Sequence, residues 1–112
     1  MKLKQVRWIG DSRERISAFP DAPRSEAGYQ LERVQAGQDP VDWKPMPSVG
    51  LGVKEIRVRE DSGAFRVIYV AKFEEAVYVL HAFQKKAPKT PKQDIDLANQ
   101  RFRELVQERK QR

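Results

Sequence analysis

Arg57, Arg59 and Arg66 fall on one face if the segments Val53 to Arg59 and Ala64 to Phe73 are neighbouring strands of a hairpin. Alternate residues of a strand point the same way, so Glu55, Arg57 and Arg59 share one side while Ile56 and Val58 take the other. In the partner strand Arg66 runs in phase with Ile68, Val70 and Lys72, against Phe65, Val67, Tyr69 and Ala71. If the register sets Arg66 against Arg57 and Arg59, three guanidiniums line an open sheet face whose mutual repulsion an anion would relieve. A planar fork of donors suits phosphate. Fixed positive charge beside a phosphodiester can also stabilise the charge that develops when a 2′-hydroxyl attacks in line. The other use of these residues is cross-strand pairing with Glu55 and Glu60, which is common on exposed sheets.

The run LHAFQKKAPKTP, from Leu80 to Pro91, carries an apolar strand straight into paired lysines and a proline-marked helix start. Lys85 and Lys86 at that strand end would complete the arginine cluster. Residues 84–112 hold +5 of the formal +6 charge of the chain. Such a local excess suits a polyanion, either a nucleic acid or an acidic protein surface, and it equally fits a solvated basic helix. His81 has the one side chain whose ordinary pKa lies near neutrality, which makes it the candidate general acid or base. Its place in the strand, in phase with Val77, Val79 and Phe83, favours a half-buried residue hydrogen-bonded in the sheet. Tyr69 and Tyr78 fit strand packing equally well. No serine, histidine and carboxylate set suggests a triad, and Gly50 and Gly52 lack the following GK[ST] of a phosphate loop.

Composition narrows the choice further. At 112 residues a single domain, 1–112, with one compact core is expected. The absence of cysteine excludes disulfides, thiolate metal sites and a cysteine nucleophile, and a single histidine excludes a zinc site built on several imidazoles. No metal and no cofactor is expected. No apolar run approaches the length of a membrane span, and MKLKQVRWIG lacks the apolar core of a signal peptide, so a cytoplasmic protein is expected.

The elements that must position these residues can be read from periodicity and turn chemistry. Lys4 to Ile9 reads as a short strand ended by Gly10. Asp11 with Glu14 reads as a capping box for a helix from Ser12 to Phe19, which Pro20 stops. A second helix opens with Asp21 as N-cap and Pro23 in its first turn, buries Ala27, Leu31 and Val34, and closes at Gly37. Gln38 to Gly52, punctuated by Pro40, Pro45, Pro47 and two glycines, reads as a long loop anchored by Trp43 and Met46. Three strands follow as an antiparallel meander: Val53 to Arg59, Ala64 to Phe73 after the turn Asp61-Ser62-Gly63, and Ala76 to Phe83 after Glu74-Glu75. A final helix begins at Thr90, whose hydroxyl is the expected N-cap, and packs Ile95, Ala98, Phe102, Leu105 and Val106 on the sheet. The order β-α-α-β-β-β-α predicts an α+β protein with its helices packed on one face of a small, mostly antiparallel sheet.

Three stretches also carry a family resemblance: GLGVKEIRVRED (Gly50 to Asp61), FRVIYVAKF (Phe65 to Phe73) and, most specifically, VLHAFQKKAPKTPKQDIDLANQR (Val79 to Arg101). With the helical hairpin upstream, nearly the whole chain resembles the RelE/ParE superfamily of toxins from bacterial type II toxin–antitoxin systems, in its phage-derived, HigB-like branch. The resemblance implies a RelE-like fold and a toxin that enters the ribosomal A site and cleaves mRNA without metal. It also implies silencing by an antitoxin with a helix-turn-helix DNA-binding domain. Arg57, Arg59 and Arg66 stand where such nucleases carry the strand residues that grip and activate the scissile phosphate, with Arg66 the leading catalytic candidate. Lys85, Lys86 and Lys89 are the expected RNA-binding groups. A tyrosine that some RelE-like nucleases carry near the last strand has no clear counterpart after Lys86, which leaves the acid or base open. ParE-like relatives share the fold and inhibit DNA gyrase by protein contact, so a non-enzymatic inhibitor is the alternative.

Overall fold

Both phases of the two central strands are apolar, and a strand that is apolar on both sides must be covered on both sides. The computed structural model, which describes residues 3–112 and leaves Met1 and Lys2 of the N-terminal segment outside the described residues, is built that way. Its elements are β1 (Gln5–Trp8), α1 (Ser12–Ser17), α2 (Asp21–Gln35), β2 (Trp43–Pro45), β3 (Val53–Glu60), β4 (Gly63–Val70), β5 (Ala76–Lys85) and α3 (Lys92–Lys110). The sheet runs β1-β5-β4-β3-β2, with β1 parallel to β5 and every other pair antiparallel. The expected α+β class and mostly antiparallel sheet are therefore present.

The helices lie on both faces, which corrects the single-face expectation. Ile16 and Phe19 at α1, with Ala27, Leu31 and Val34 of α2, pack against Val58, Phe65, Val67 and Val79 on one side. Ala98, Phe102 and Leu105 of α3, with Met46 and Val49, pack against Ile68, Val70, Tyr78 and Leu80 on the other. The C-terminal half of α3 is tied down by Arg109, whose Nε and Nη2 donate to the two oxygens of Glu75 at 2.7 and 3.1 Å. The bonds from Arg109, and then Tyr78, hold the Glu75 pKa down at about 2.

Smaller corrections each have a local cause. The expected loop from Gln38 to Gly52 contains β2, whose three residues pair with Ile56, Glu55 and Lys54. Pro45 hid it in the sequence. As a member of an edge strand, however, it can keep its missing N–H on the side where no neighbour needs one. Asp11 makes no cap bond at α1, because its carboxylate accepts charged bonds from Arg15 and Arg101 at 2.9 and 2.8 Å. Pro20 and Pro91, rather than Asp21 and Thr90, occupy the N-cap positions of α2 and α3, neither with a side-chain cap bond. The second meander strand stops at Val70 and the third runs on to Lys85.

A bulge in β5 decides which way the end of that strand faces. Ile68 pairs with His81 but Tyr69 pairs with Val79, so Leu80 is the extra residue. An inserted residue reverses the alternation. Val77 and Val79 accordingly belong to the α1–α2 side, whereas Leu80 and Phe83 belong to the α3 side. His81, which hydrogen-bonds α3 and stacks on Phe83, lies on that second side, away from Val77 and Val79.

Phe102 is the keystone of the α3 face, so Phe102→Ala should cost roughly 3 to 5 kcal/mol in a denaturant melt. An unchanged midpoint would mean that α3 does not hold the sheet. Gly50 tests the same contact from the other side, because a Cβ there would run into the Phe102 ring. Gly50→Ala should cost about 1 to 3 kcal/mol. Phe102→Leu should recover part of that loss, and simple additivity of the two changes would argue against the clash.

Candidate nucleic-acid interface

The β3–β4 register sets Arg57 directly opposite Arg66, with Glu55 opposite Ile68 and Arg59 opposite Ala64. On the other side of β4, Arg66 faces Phe83 and Ala64 faces Lys85. Side chains that alternate in phase therefore bring Arg57, Arg59, Arg66 and Lys85 to the α3 side of the sheet. Helix α3 covers only part of that side. Its apolar residues sit over Ile68, Val70, Tyr78 and Leu80, and its first turn meets the sheet at His81, where Asp94 bonds the imidazole. The cations lie beyond that point, toward the β3–β4 turn.

The cluster is layered. At its base Glu55 is fully buried and Arg66 is 2% exposed, with Arg66 Nε 3.5 Å from Glu55 Oε1 and Arg66 Nη1 donating to the Phe65 carbonyl at 3.0 Å. Neither Glu55 oxygen has a hydrogen-bond partner among the described protein atoms. Above them stand the half-buried Arg57 and Lys85, the exposed Arg59, and Lys44 of β2, whose Nζ is 3.8 Å from Glu55 Oε1. Asp42 lies 3.9 Å from Arg57 Nε. Burial lowers the Arg66 pKa, and Glu55 opposes that shift. An arginine remains charged even so. Lys85 is likewise pushed below its ordinary value, first by desolvation and then by the nearby Arg66 guanidinium. Five cations around one buried carboxylate leave a positive surface whose rim can take an anion.

The remaining sequence candidates divide. Lys85 and Lys86 diverge, since Lys85 joins the cationic face while the exposed Lys86 borders a separate hollow with Arg15, Phe19 and Phe65 on the α1 side. Lys89, in the β5–α3 connection, lines a groove together with Lys44 and Lys85. His81 is fully buried. Its Nε2 lies 2.7 Å from Asp94 Oδ1, its ring stacks on Phe83, and Nδ1 has no hydrogen-bond partner among the described residues. The carboxylate can only accept, so Nε2 carries the proton, and this bond fastens the start of α3 to β5. Lys44 is not legible in the sequence as a member of the cluster, because β2 is not. Once β2 pairs with β3, Lys44 falls opposite Glu55, and the role of Glu55 is then apparent. Among the described residues, no three carboxylate or imidazole side chains converge as metal ligands do.

Arg66→Ala should lose about 3 to 5 kcal/mol of stability, since it leaves the Glu55 charge buried without its closest counter-ion. The double change Glu55→Leu with Arg66→Met should restore most of that loss in the same melt, and failure to recover would show that the pair is not the unit of stability.

His81 generates a pH prediction. Burial depresses its pKa, with the bond to Asp94 working the other way and Arg15 and Arg101 adding to the depression. A depressed folded-state pKa means the unfolded chain takes up the proton first. The corresponding stability is complete above the unfolded value near 6.5 and is lost as pH falls below it. Chemical melts between pH 7.5 and 5.5 should show a decline that His81→Gln flattens, and parallel curves would rule out His81 as its source.

A family model, Phage derived protein Gp49-like (DUF891), matches residues 14–103. No curated protein matches the sequence. The matched span begins in α1, takes in the whole of the cationic face and the β5–α3 connection, and ends within α3, and the chain belongs to this phage-derived Gp49-like family.

Proposed function

We propose that this chain is the toxin of a type II toxin–antitoxin system and that it acts as a ribosome-dependent mRNA endoribonuclease. The observation that carries the reading is the convergence of Arg57, Arg59, Lys44 and Lys85 on one open sheet face over the buried Glu55–Arg66 pair. A surface that only had to stick to an acidic protein could spread its charge. Cations gathered over one small area instead suit a single phosphodiester, and the phage-derived family and the RelE-like arrangement of elements agree with that use.

In this reading the rim groups Arg57, Arg59 and Lys85 contact the non-bridging oxygens of the scissile phosphate. Arg66 acts from beneath, where packing and Glu55 fix its direction. The 2′-hydroxyl attacks phosphorus and gives its proton to solvent, the P–O5′ bond to the next nucleotide breaks with the leaving oxygen taking a proton from solvent to leave a 2′,3′-cyclic phosphate, and the fixed cations stabilise the added charge on the pentacoordinate phosphorus without a metal ion. His81, buried and bonded to Asp94, has no part in this step. The partner is a helix-turn-helix antitoxin that covers the cationic face or holds the toxin away from the ribosome.

Brief induction followed by primer extension on cellular mRNA should reveal new cuts inside translated codons. Arg57→Gln with Arg59→Gln should remove both cuts and growth arrest while leaving the melting midpoint nearly unchanged, because neither side chain is part of the buried pair. Arrest with intact transcripts would move the reading to a gyrase-binding inhibitor. Lys85→Gln with Lys89→Gln should weaken ribosome binding and lower the slope of log affinity against log salt by about 1 to 2. Co-expression with the neighbouring open reading frame should restore growth and give a complex on size exclusion, and a neighbour that does neither would count against the toxin assignment.

A further inference from the structure

A groove of about 460 Å³ lies between β2 with the loop that follows it and the connection from β5 to α3. Its composition is two-sided. Lys44, Lys85 and Lys89 line it, and so do Met46, Pro88 and Ile95, while no acidic side chain does. Met46 is buried in the α3-side core and Ile95 packs against that core, so this apolar surface is backed by packed structure rather than by a loose loop. The loop wall is fixed as well. Asn99 Nδ2 of α3 donates to the carbonyls of Ser48 and Val49, both at 3.1 Å.

An apolar ligand has no use for three ammonium groups, and a bare phosphate has none for an apolar lining. A nucleotide needs both, because its phosphate and its base differ in this way. Lys85 belongs to the groove and to the cationic face at once. We infer that this groove receives the unpaired base of the nucleotide adjacent to the scissile phosphate, and that it therefore sets the nucleotide preference beside the cut. The inference rests on the nuclease reading above and adds a specificity subsite to it. The base lies against Met46, Ile95 and the proline rings, while Lys44 and Lys89 hold the phosphate on its far side. A purine buries more apolar surface against this wall than a pyrimidine does, and at about 25 cal/mol per Å² roughly 55 Å² of extra contact gives a preference of about tenfold.

Ser48 is exposed and borders the groove, and its backbone carbonyl rather than its side chain is bonded to Asn99, so Ser48→Trp narrows the space while every cation of the cluster and every core side chain keeps its identity. The test is the cleavage profile on translating ribosomes for the parent chain and for Ser48→Trp, with a melt of each to show that both are folded. The parent should show a nucleotide bias at one position beside the cut. In Ser48→Trp that bias should flatten about tenfold while cutting persists. An unchanged bias in a folded Ser48→Trp overturns the groove assignment and leaves the nuclease reading standing. A parent that makes no cuts removes the reading itself, and the groove assignment falls with it. As a second measurement, a 2′-O-methyl oligonucleotide carrying one 4-thiouridine should crosslink to the peptides 44–48 or 88–95 from a single position. Crosslinks confined to other peptides would also overturn the assignment.

Discussion

A buried ion pair between neighbouring strands governs what the rest of this protein can do. Arg57 and Arg66 stand directly opposite each other on β3 and β4, where like charges normally destabilise a sheet. Glu55, two residues along β3 on the same side and fully buried, is what makes the arrangement tolerable. A fully buried carboxylate with no hydrogen-bond donor among the described protein atoms is itself costly. Its burial becomes acceptable only because Arg66 at 3.5 Å and Lys44 at 3.8 Å surround it with positive charge. Neither sign is stable there alone. The pair thus fixes Arg66 under the face, leaves Arg57 and Arg59 freer to meet a ligand, and ties β2 to the cluster through Lys44.

The second constraint is the bulge at Leu80. Without the extra residue, His81, Phe83 and Lys85 would alternate in phase with Val77 and Val79 and turn toward α1 and α2. With it, Lys85 reaches the cationic face and His81 reaches Asp94 at the start of α3. One inserted residue therefore places the end of β5 and fastens the helix that bounds the site. The same geometry sends Lys86 the other way, toward Arg15 and Phe19, so two adjacent lysines serve two different surfaces.

Most of the fold is legible in the sequence because its signals are local. Alternation marks β3, continuous apolar runs mark β4 and β5, the spacing of Ala27, Leu31 and Val34 marks α2, and Ile95 to Val106 marks α3. The arginine phase on β3 and β4 is equally readable, since a short hairpin turn leaves little choice of register. What stays hidden is non-local. A three-residue strand containing proline carries no periodic signal, and its existence depends on β3 offering an open edge. A bulge leaves no mark in composition, so simple alternation makes His81 a neighbour of Val77 and Val79. Asp11 has the sequence context of a helix cap, but its carboxylate is taken by Arg15 and by Arg101, the latter 90 residues away. Burial is the other blind spot. The sequence shows that Arg66 is mid-strand, but its 2% exposure comes with the cross-strand placement of Glu55 on β3 and Phe83 on β5.

The incomplete reach of α3 gives these details their common sense. A helix covering the whole sheet face would bury the arginines and demand partners for all of them, whereas no helix at all would leave Ile68, Val70 and Leu80 bare. Helix α3 starts at Lys92, with the His81–Asp94 bond marking where it first meets the sheet, and runs back over the apolar half. The connection before it, rich in lysine and proline, is thereby held over the edge of the uncovered half, facing the β2 loop that Asn99 secures from the same helix. Both walls of the groove and the boundary of the cationic face are thus set by one packed element. A polar surface in a chain this small can stay organised in this way, with long lysine side chains at the rim and their backbone anchored to the core through Phe102, Asn99 and His81.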